Sequence, residues 1–290
     1  MSLDEALLSL EGLSVGDAFG ECFFTYPAQM IAGRELPPGP WPWTDDTHMA
    51  LSIVDVLRNH GRIDQDVLAR AFGRRYQQDP YRGYAAGARI LLGRVSEGED
   101  WRQIAPGLFD SGSYGNGAAM RVAPVGGFFA GEPEAAAEQA RLSAEITHAH
   151  PEGQAGAMAV AAAAAVAASG DWSDGQDFIR KILPFVPQGL TREGIVLALE
   201  IFSEDLEEVA TQLGTGRKIS AMDTVPFCLW CAAHNLASYE DALWQTVAGL
   251  GDRDTTCAIV GGIVALSARK IPIAWVRRRE PLPRGFAFRG

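Results

Sequence analysis

Apolar residues return at helical spacing along nearly the whole chain. Between Asp46 and Arg58, Met49, Ala50, Ile53, Val54 and Leu57 fall on one face of a 3.6-residue period. Between Thr255 and Arg269, Ile259, Val260, Ile263, Val264 and Ser267 repeat that pattern. The periodicity also predicts helices over Leu7–Gly20, Gln65–Gln77, Tyr84–Glu97, Pro133–Ile146, Glu152–Ala168, Gly175–Leu183, Arg192–Phe202, Asp205–Leu213, Asp223–Leu236 and Tyr239–Leu250. Gly- and Pro-rich stretches such as AGRELPPGPWP and PFVPQGL punctuate them. Strand-like alternation is scarce, and the C-terminal GFAFRG is the one short stretch that invites it. No internal repeat, linker or change of composition divides the chain. Residues 1–290 therefore read as one compact all-α domain of more than ten helices.

Composition adds little to the fold but narrows the function. With 47% hydrophobic and 21% charged residues, the 290-residue chain is of the globular class and can bury a large core. A net charge of −11 disfavours nucleic acid as a partner. The basic run Arg277, Arg278, Arg279 reads as a solvated tail or a set of ion-pair donors. Four cysteines are too few for a disulfide scaffold, and Cys228 and Cys231 read as small core residues of a buried helix. The apolar stretch Ala155–Gly170 is alanine-rich and short for a membrane span, so a tightly packed internal helix is expected and no membrane partner. The N-terminus carries acids where a secretory leader has a basic flank, and the expected location is the cytoplasm.

Candidate chemistry gathers at helix starts. In WPWTDDTHMA, Asp45 and Asp46 lie between Thr44 and Thr47, directly before an apolar run. Either acid alone is an ordinary cap, since carboxylates in a first helical turn gain roughly 0.3–1 kcal/mol from the dipole. Two adjacent carboxylates flanked by hydroxyls exceed what capping needs. LGDRDTTCAIV repeats the chemistry, with Asp252, Asp254 and Thr255 before another apolar helix. If the two helices share a core, their N-termini can converge, and four carboxylates brought together require a cation. All-oxygen donors suit hard divalent ions, so two Mg²⁺ or Mn²⁺ are expected rather than zinc.

Three further stretches are candidates around that centre. SGSYGNGAAMRVAP places glycines among Ser113, Tyr114, Gly115 and Asn116, where backbone N–H groups can approach an anion. In SVGDAFGECFF, Asp17 lies inside an apolar helical pattern with Glu21 one turn later; Asp17 either caps a neighbouring helix or faces the metal site. In ITHAHPEG, one of His148 and His150 is expected to donate to a ligand and the other to lie at the surface.

GDAFG, TDDT, SYGNGAAMRVAP, TH before a small-residue helix, and GDRDT occur in the order found in the ADP-ribosylglycohydrolase family, which this chain resembles from Ser14 to about Ala265. The resemblance implies an orthogonal all-α bundle with a binuclear Mg²⁺ or Mn²⁺ centre. Thr44, Asp45, Asp46, Asp252, Asp254 and Thr255 would ligate the ions, the Ser113–Asn116 loop would hold the diphosphate and adjoining ribose, and His148 would contact the substrate close by. The implied reaction is hydrolysis of the glycosidic bond between ADP-ribose and an acceptor, with ADP-ribose as product. Asp45, Asp254 and Glu21 are the candidate catalytic carboxylates. The sequence leaves the acceptor open among a serine or arginine of a modified protein and a small ADP-riboside such as O-acetyl-ADP-ribose. Family members carry a flap glutamate seven residues after the GD aspartate; here that position is Phe24, and Glu21 is the nearest substitute. An ADP-ribose-binding protein without turnover is the alternative.

Overall fold

The computed structural model describes residues 1–201, 203 and 205–288. Its helices in chain order are α1 (Leu3–Cys22), α2 (Ala28–Ala32), α3 (Asp45–His60), α4 (Gln65–Gln78), α5 (Ala86–Ser96), α6 (Trp101–Ile104), α7 (Ala123–Phe128) and α8 (Pro133–Glu145). They continue with α9 (Pro151–Ser169), α10 (Gly175–Ile182), α11 (Leu190–Glu200), α12 (Leu206–Leu213), α13 (Ala221–His234), α14 (Tyr239–Val247), α15 (Arg253–Ala268) and α16 (Ile273–Val276). No strand forms among the described residues, and the β contacts are isolated bridges, Trp41 with Arg279 and Gly115 with Ser220. The C-terminal GFAFRG is turn and coil as far as Phe288; Arg289 and Gly290 lie outside the described residues, as does Phe202 at the expected end of α11.

The helix nearest the site owes its place to glycines. Gly12, Gly16 and Gly20 recur every four residues on α1 and face α15. A Cβ on Gly16 would stand 2.1 Å from the Cys257 carbonyl oxygen, and one on Gly20 2.1 Å from that of Arg253. The two backbones therefore touch, and they run antiparallel, because Gly12 meets Gly261 while Gly20 meets Arg253. This brings the C-terminal turn of α1, with Asp17 and Glu21, beside the N-terminus of α15, with Asp252 and Asp254. Along the middle of α1, α9 and α15 residues are buried on every side, with the alanines of α9 allowing the same close approach.

Short elements escape the periodicity argument. α7 has six residues including Pro124, Gly126 and Gly127, too few to show a period. Its glycines seat it against α9 and α1: a Cβ on Gly126 would lie 2.2 Å from the Ala161 carbonyl oxygen, and one on Gly127 2.7 Å from that of Glu5. Tyr84, expected to open α5, precedes it instead and meets His48 Nδ1 through its hydroxyl at 2.9 Å. The basic tail is partly built in. Arg279 pairs with Glu11 at 2.8 Å, both buried, and Trp275 packs among Phe19, Trp41 and Trp244. All four cysteines are free and buried. Among the described residues, no helix is long and apolar enough to cross a membrane.

Candidate active site

Asp17 organises the start of α3 from α1. Its carboxylate accepts from the Thr44 backbone N–H at 3.0 Å and hydroxyl at 2.9 Å, and from the Thr47 N–H at 3.1 Å and hydroxyl. Of the two readings the sequence leaves open for Asp17, the structure shows the cap of a neighbouring helix. Burial pushes its pKa up to about 6 against those hydrogen bonds.

With Asp17 occupying that role, the adjacent acids are released from it. The Asp45 N–H donates to the Arg82 carbonyl at 2.7 Å, and the Asp45 side chain borders a cleft. Asp46 is buried; its Oδ1 lies 3.3 Å from the Thr44 hydroxyl and its Oδ2 has no partner. At the start of α15, Asp252 accepts from the Asn116 amide at 2.7 Å, and Asp254 Oδ1 is buried without a partner. Burial, then neighbouring carboxylates, push Asp45 up to about 8 and Asp46 and Asp254 well above the carboxylate range. Glu21 is raised by burial and by Asp17 and Asp252, and it is not among the residues that line the cleft.

The cleft has a volume of about 520 Å³. It is lined by Asp45, Asp46, Asp252, Asp254 and Thr255, and by Ser113, Tyr114, Gly115, Asn116, Gly117 and His148 of the glycine loop and its neighbour. Thr44 is not among the lining residues and is the α3 cap. Among the described residues, no three His, Cys, Asp or Glu side chains are gathered tightly enough to cage an ion as placed. The expected binuclear centre is thus not displayed. The donor chemistry nevertheless fits a hard cation: the set is all oxygen, and two buried carboxylate oxygens, on Asp46 and Asp254, are unpartnered.

The glycine loop is held by its own serine, by α13 and by Asp252. Ser113 Oγ accepts from the Gly115 N–H at 3.2 Å, and the Tyr114 carbonyl from the Ala221 N–H at 3.0 Å. Asn116, expected at the ligand, gives its amide hydrogens to Asp252 and, at 3.1 Å, to Thr224, and so ties the loop to the start of α15. His150 is not a plain surface residue: its Nδ1 accepts the Glu152 N–H and caps α9. Arg121, Phe109 and Ile219 also border the cleft and were missed. Arg121 sits within the quoted MRVAP, where a lone Arg in an apolar run is the available signal. Phe109 and Ile219 have φ of 56° and 53°, which local sequence does not announce in a non-glycine residue.

Comparison with known proteins identifies the family. The ADP-ribosylglycohydrolase family model matches residues 2–285, and the chain belongs to that family, a family of glycoside-cleaving enzymes. It is 29% identical over 276 residues to ADP-ribosylhydrolase ARH3 of Homo sapiens, covering 82% of this chain and 74% of that protein. It is 26% identical over 292 residues to ADP-ribosylarginine hydrolase Tri1 of Pseudomonas putida, covering 96% and 74%. A solved ADP-ribosylglycohydrolase-related protein complex shares the fold, with a TM-score of 0.68 at 24% identity over 96% of this chain and 93% of that one.

Proposed function

We propose that this protein hydrolyses the glycosidic bond between ADP-ribose and a serine or arginine side chain of a modified protein, with the help of two Mg²⁺ or Mn²⁺ ions. The observation that carries the reading is the pair of unpartnered buried carboxylate oxygens, on Asp46 and Asp254, at two helix starts that share a cleft with a glycine loop. Thr44, Asp45, Asp46, Asp252, Asp254 and Thr255 would hold the ions. Bound there, the ions would polarise a water and the substrate's ribose hydroxyls as Lewis acids.

The chain's own groups supply the rest. Backbone N–H groups of the Ser113–Gly117 loop offer an anion the positive potential that an acidic protein otherwise lacks. His148 is kept neutral, its pKa lowered to about 3 by burial and by Arg121, so it acts as a hydrogen-bond partner and not as a charge. The acidic lining favours positive charge developing on the sugar ring as the bond to the acceptor lengthens. Asp45 or Asp254 takes the proton of the attacking water, a proton returns to the departing serine oxygen or arginine nitrogen, and Glu21 stands in for the flap glutamate that Phe24 replaces.

Phe24 is also the observation that favours a second reading. It is exposed and lies under the Arg253 guanidinium, 5.0 Å from ring centroid to Cζ, and it has no acid to offer. Binding of ADP-ribose without turnover, or hydrolysis of a small ADP-riboside, would follow if Glu21 does not substitute. The test is release of ADP-ribose from protein modified separately on arginine and on serine, with Mg²⁺, Mn²⁺ or chelator, beside Asp254→Ala. Metal-dependent release from one substrate, lost in the variant, is expected. Metal-dependent binding with no release from either substrate would overturn the protein-hydrolase reading in favour of the second.

A further inference from the structure

Behind the glycine loop a short polar chain runs from Arg121 through Thr147 to His148. Arg121 is fully buried beneath the cleft, its guanidinium over the Phe72 ring at 4.5 Å. Its Nη2 donates to the Ser143 carbonyl and to the Thr147 hydroxyl oxygen, both at 2.9 Å. Thr147 is buried too, and its Oγ1 lies 2.7 Å from His148 Nδ1. On the far side of the ring, His148 Nε2 has no hydrogen-bond partner among the described residues. A Cβ on Gly115 would stand 3.3 Å from that nitrogen, and one on Gly117 3.2 Å from Cε1. Glycine at both positions leaves the Nε2 edge uncovered where the loop borders the cleft.

Hydrogen accounting then determines the tautomer. A guanidinium has donors only, so the Thr147 oxygen must accept from Arg121. The Thr147 hydroxyl hydrogen needs an acceptor, and the one within reach is His148 Nδ1. Were Nδ1 to carry the hydrogen, Thr147 would accept from both sides and its own hydrogen would be buried without a partner, a cost that folded interiors avoid. Nδ1 therefore accepts, and the ring hydrogen resides on Nε2, aimed into the cleft.

We propose that Thr147, itself oriented by Arg121, is a positioning residue that locks His148 in the Nε2–H tautomer and so presents a neutral hydrogen-bond donor to an oxygen of the bound ligand. The ligand half of this statement rests on the reading of the cleft as an ADP-ribose site. The lock itself does not, because it exists in the ligand-free protein.

The test is long-range ¹H–¹⁵N correlation of the histidine rings in uniformly labelled protein at neutral pH, with His148 assigned by its loss in His148→Gln. Wild type should show a protonated Nε2 and an unprotonated Nδ1. Thr147→Val removes the hydroxyl at equal volume and should move the ring toward Nδ1–H or a mixture, while Thr147→Ser restores the original pattern. ADP-ribose affinity, measured by calorimetry in Mg²⁺, should fall about tenfold in Thr147→Val and recover in Thr147→Ser. Nδ1–H in the wild-type protein overturns the proposal even if Thr147→Val fails to fold, as does an unchanged tautomer in a folded Thr147→Val. ADP-ribose binding that leaves the His148 Nε2 resonance unmoved overturns the donor role. Absence of ADP-ribose binding with the tautomer as stated overturns the reading of the cleft and leaves the lock standing.

Discussion

The starts of α3 and α15 carry nearly the same residues and are built differently. At α3 the orphan N–H groups are served from elsewhere: Thr44 accepts from Asp46, and Asp17 of α1 accepts from Thr44 and Thr47. At α15 Asp252 occupies the cap position but makes no side-chain cap bond, and its carboxylate takes the Asn116 amide instead. One start is capped by a foreign carboxylate; the other turns its cap residue outward to the glycine loop. Both leave one buried aspartate oxygen unpartnered, on Asp46 and on Asp254. Capping cannot account for those two acids, whereas it fully accounts for Asp17. The comparison separates carboxylates that stabilise the fold from carboxylates that the fold must tolerate.

The sharpest way to break that division is to neutralise one acid of each kind. Asp46→Asn and Asp254→Asn each replace an acid whose ionised form the metal-free protein disfavours. Each should lower glycohydrolase activity by at least about a hundredfold, the upper range seen when metal-site partners are lost. The same variants should melt at a higher temperature than wild type in chelator, and gain less stability on adding Mg²⁺. Equal melting behaviour with and without Mg²⁺ in the wild type would break the assignment of these acids to a cation. Asp17→Asn should do the reverse to the metal-free fold. It weakens charge-assisted bonds to Thr44 and Thr47 and should destabilise by about 1.5–3 kcal/mol in urea unfolding.

Next in size is the contact that sets the two starts side by side. Gly16→Ala would drive a methyl into the Cys257 carbonyl, and backbone cannot rotate away as a side chain can. A loss of about 1–3 kcal/mol in urea unfolding is expected, with activity falling further as α1 is pushed from α15. Full activity in a folded Gly16→Ala would show that the α1–α15 spacing does not tune the site.

These cases also show what the sequence could reveal. TDDT and GDRDT were legible because four aspartates at two apolar helix starts are more than caps require, and the long helices were legible by period. Asp17 was read correctly as buried, but its partner could not be chosen. The choice depends on α3 crossing the end of α1, a matter of packing between residues 27 positions apart or more. The spacing of Gly12, Gly16 and Gly20 was present in the sequence and signals close helix approach, yet which helix approaches is again tertiary. Asn116 and His150 lie in the expected neighbourhood, with protein partners that the sequence does not name. A short polar side chain has several backbone and side-chain partners within reach, and only the fold selects among them.

The smallest expected effect concerns Phe24, where the family resemblance would place a glutamate. Restoring the acid by Phe24→Glu should not restore the family's arrangement. The Arg253 guanidinium lies over the Phe24 ring and donates to the Phe23 carbonyl at 2.6 Å, while its Nε is buried without a partner. A carboxylate at position 24 would be captured by that guanidinium before it reached the cleft. Phe24→Glu should therefore stabilise the fold by no more than about 1 kcal/mol, as a partly exposed ion pair does. Turnover should change by less than about fivefold, under 1 kcal/mol of barrier. Thermal melting and ADP-ribose release from modified protein measure the two. A tenfold or greater rise in turnover would mean that Glu21 does not fill the missing role and that the flap acid, once restored, reaches past Arg253 to the aspartates of α3 and α15.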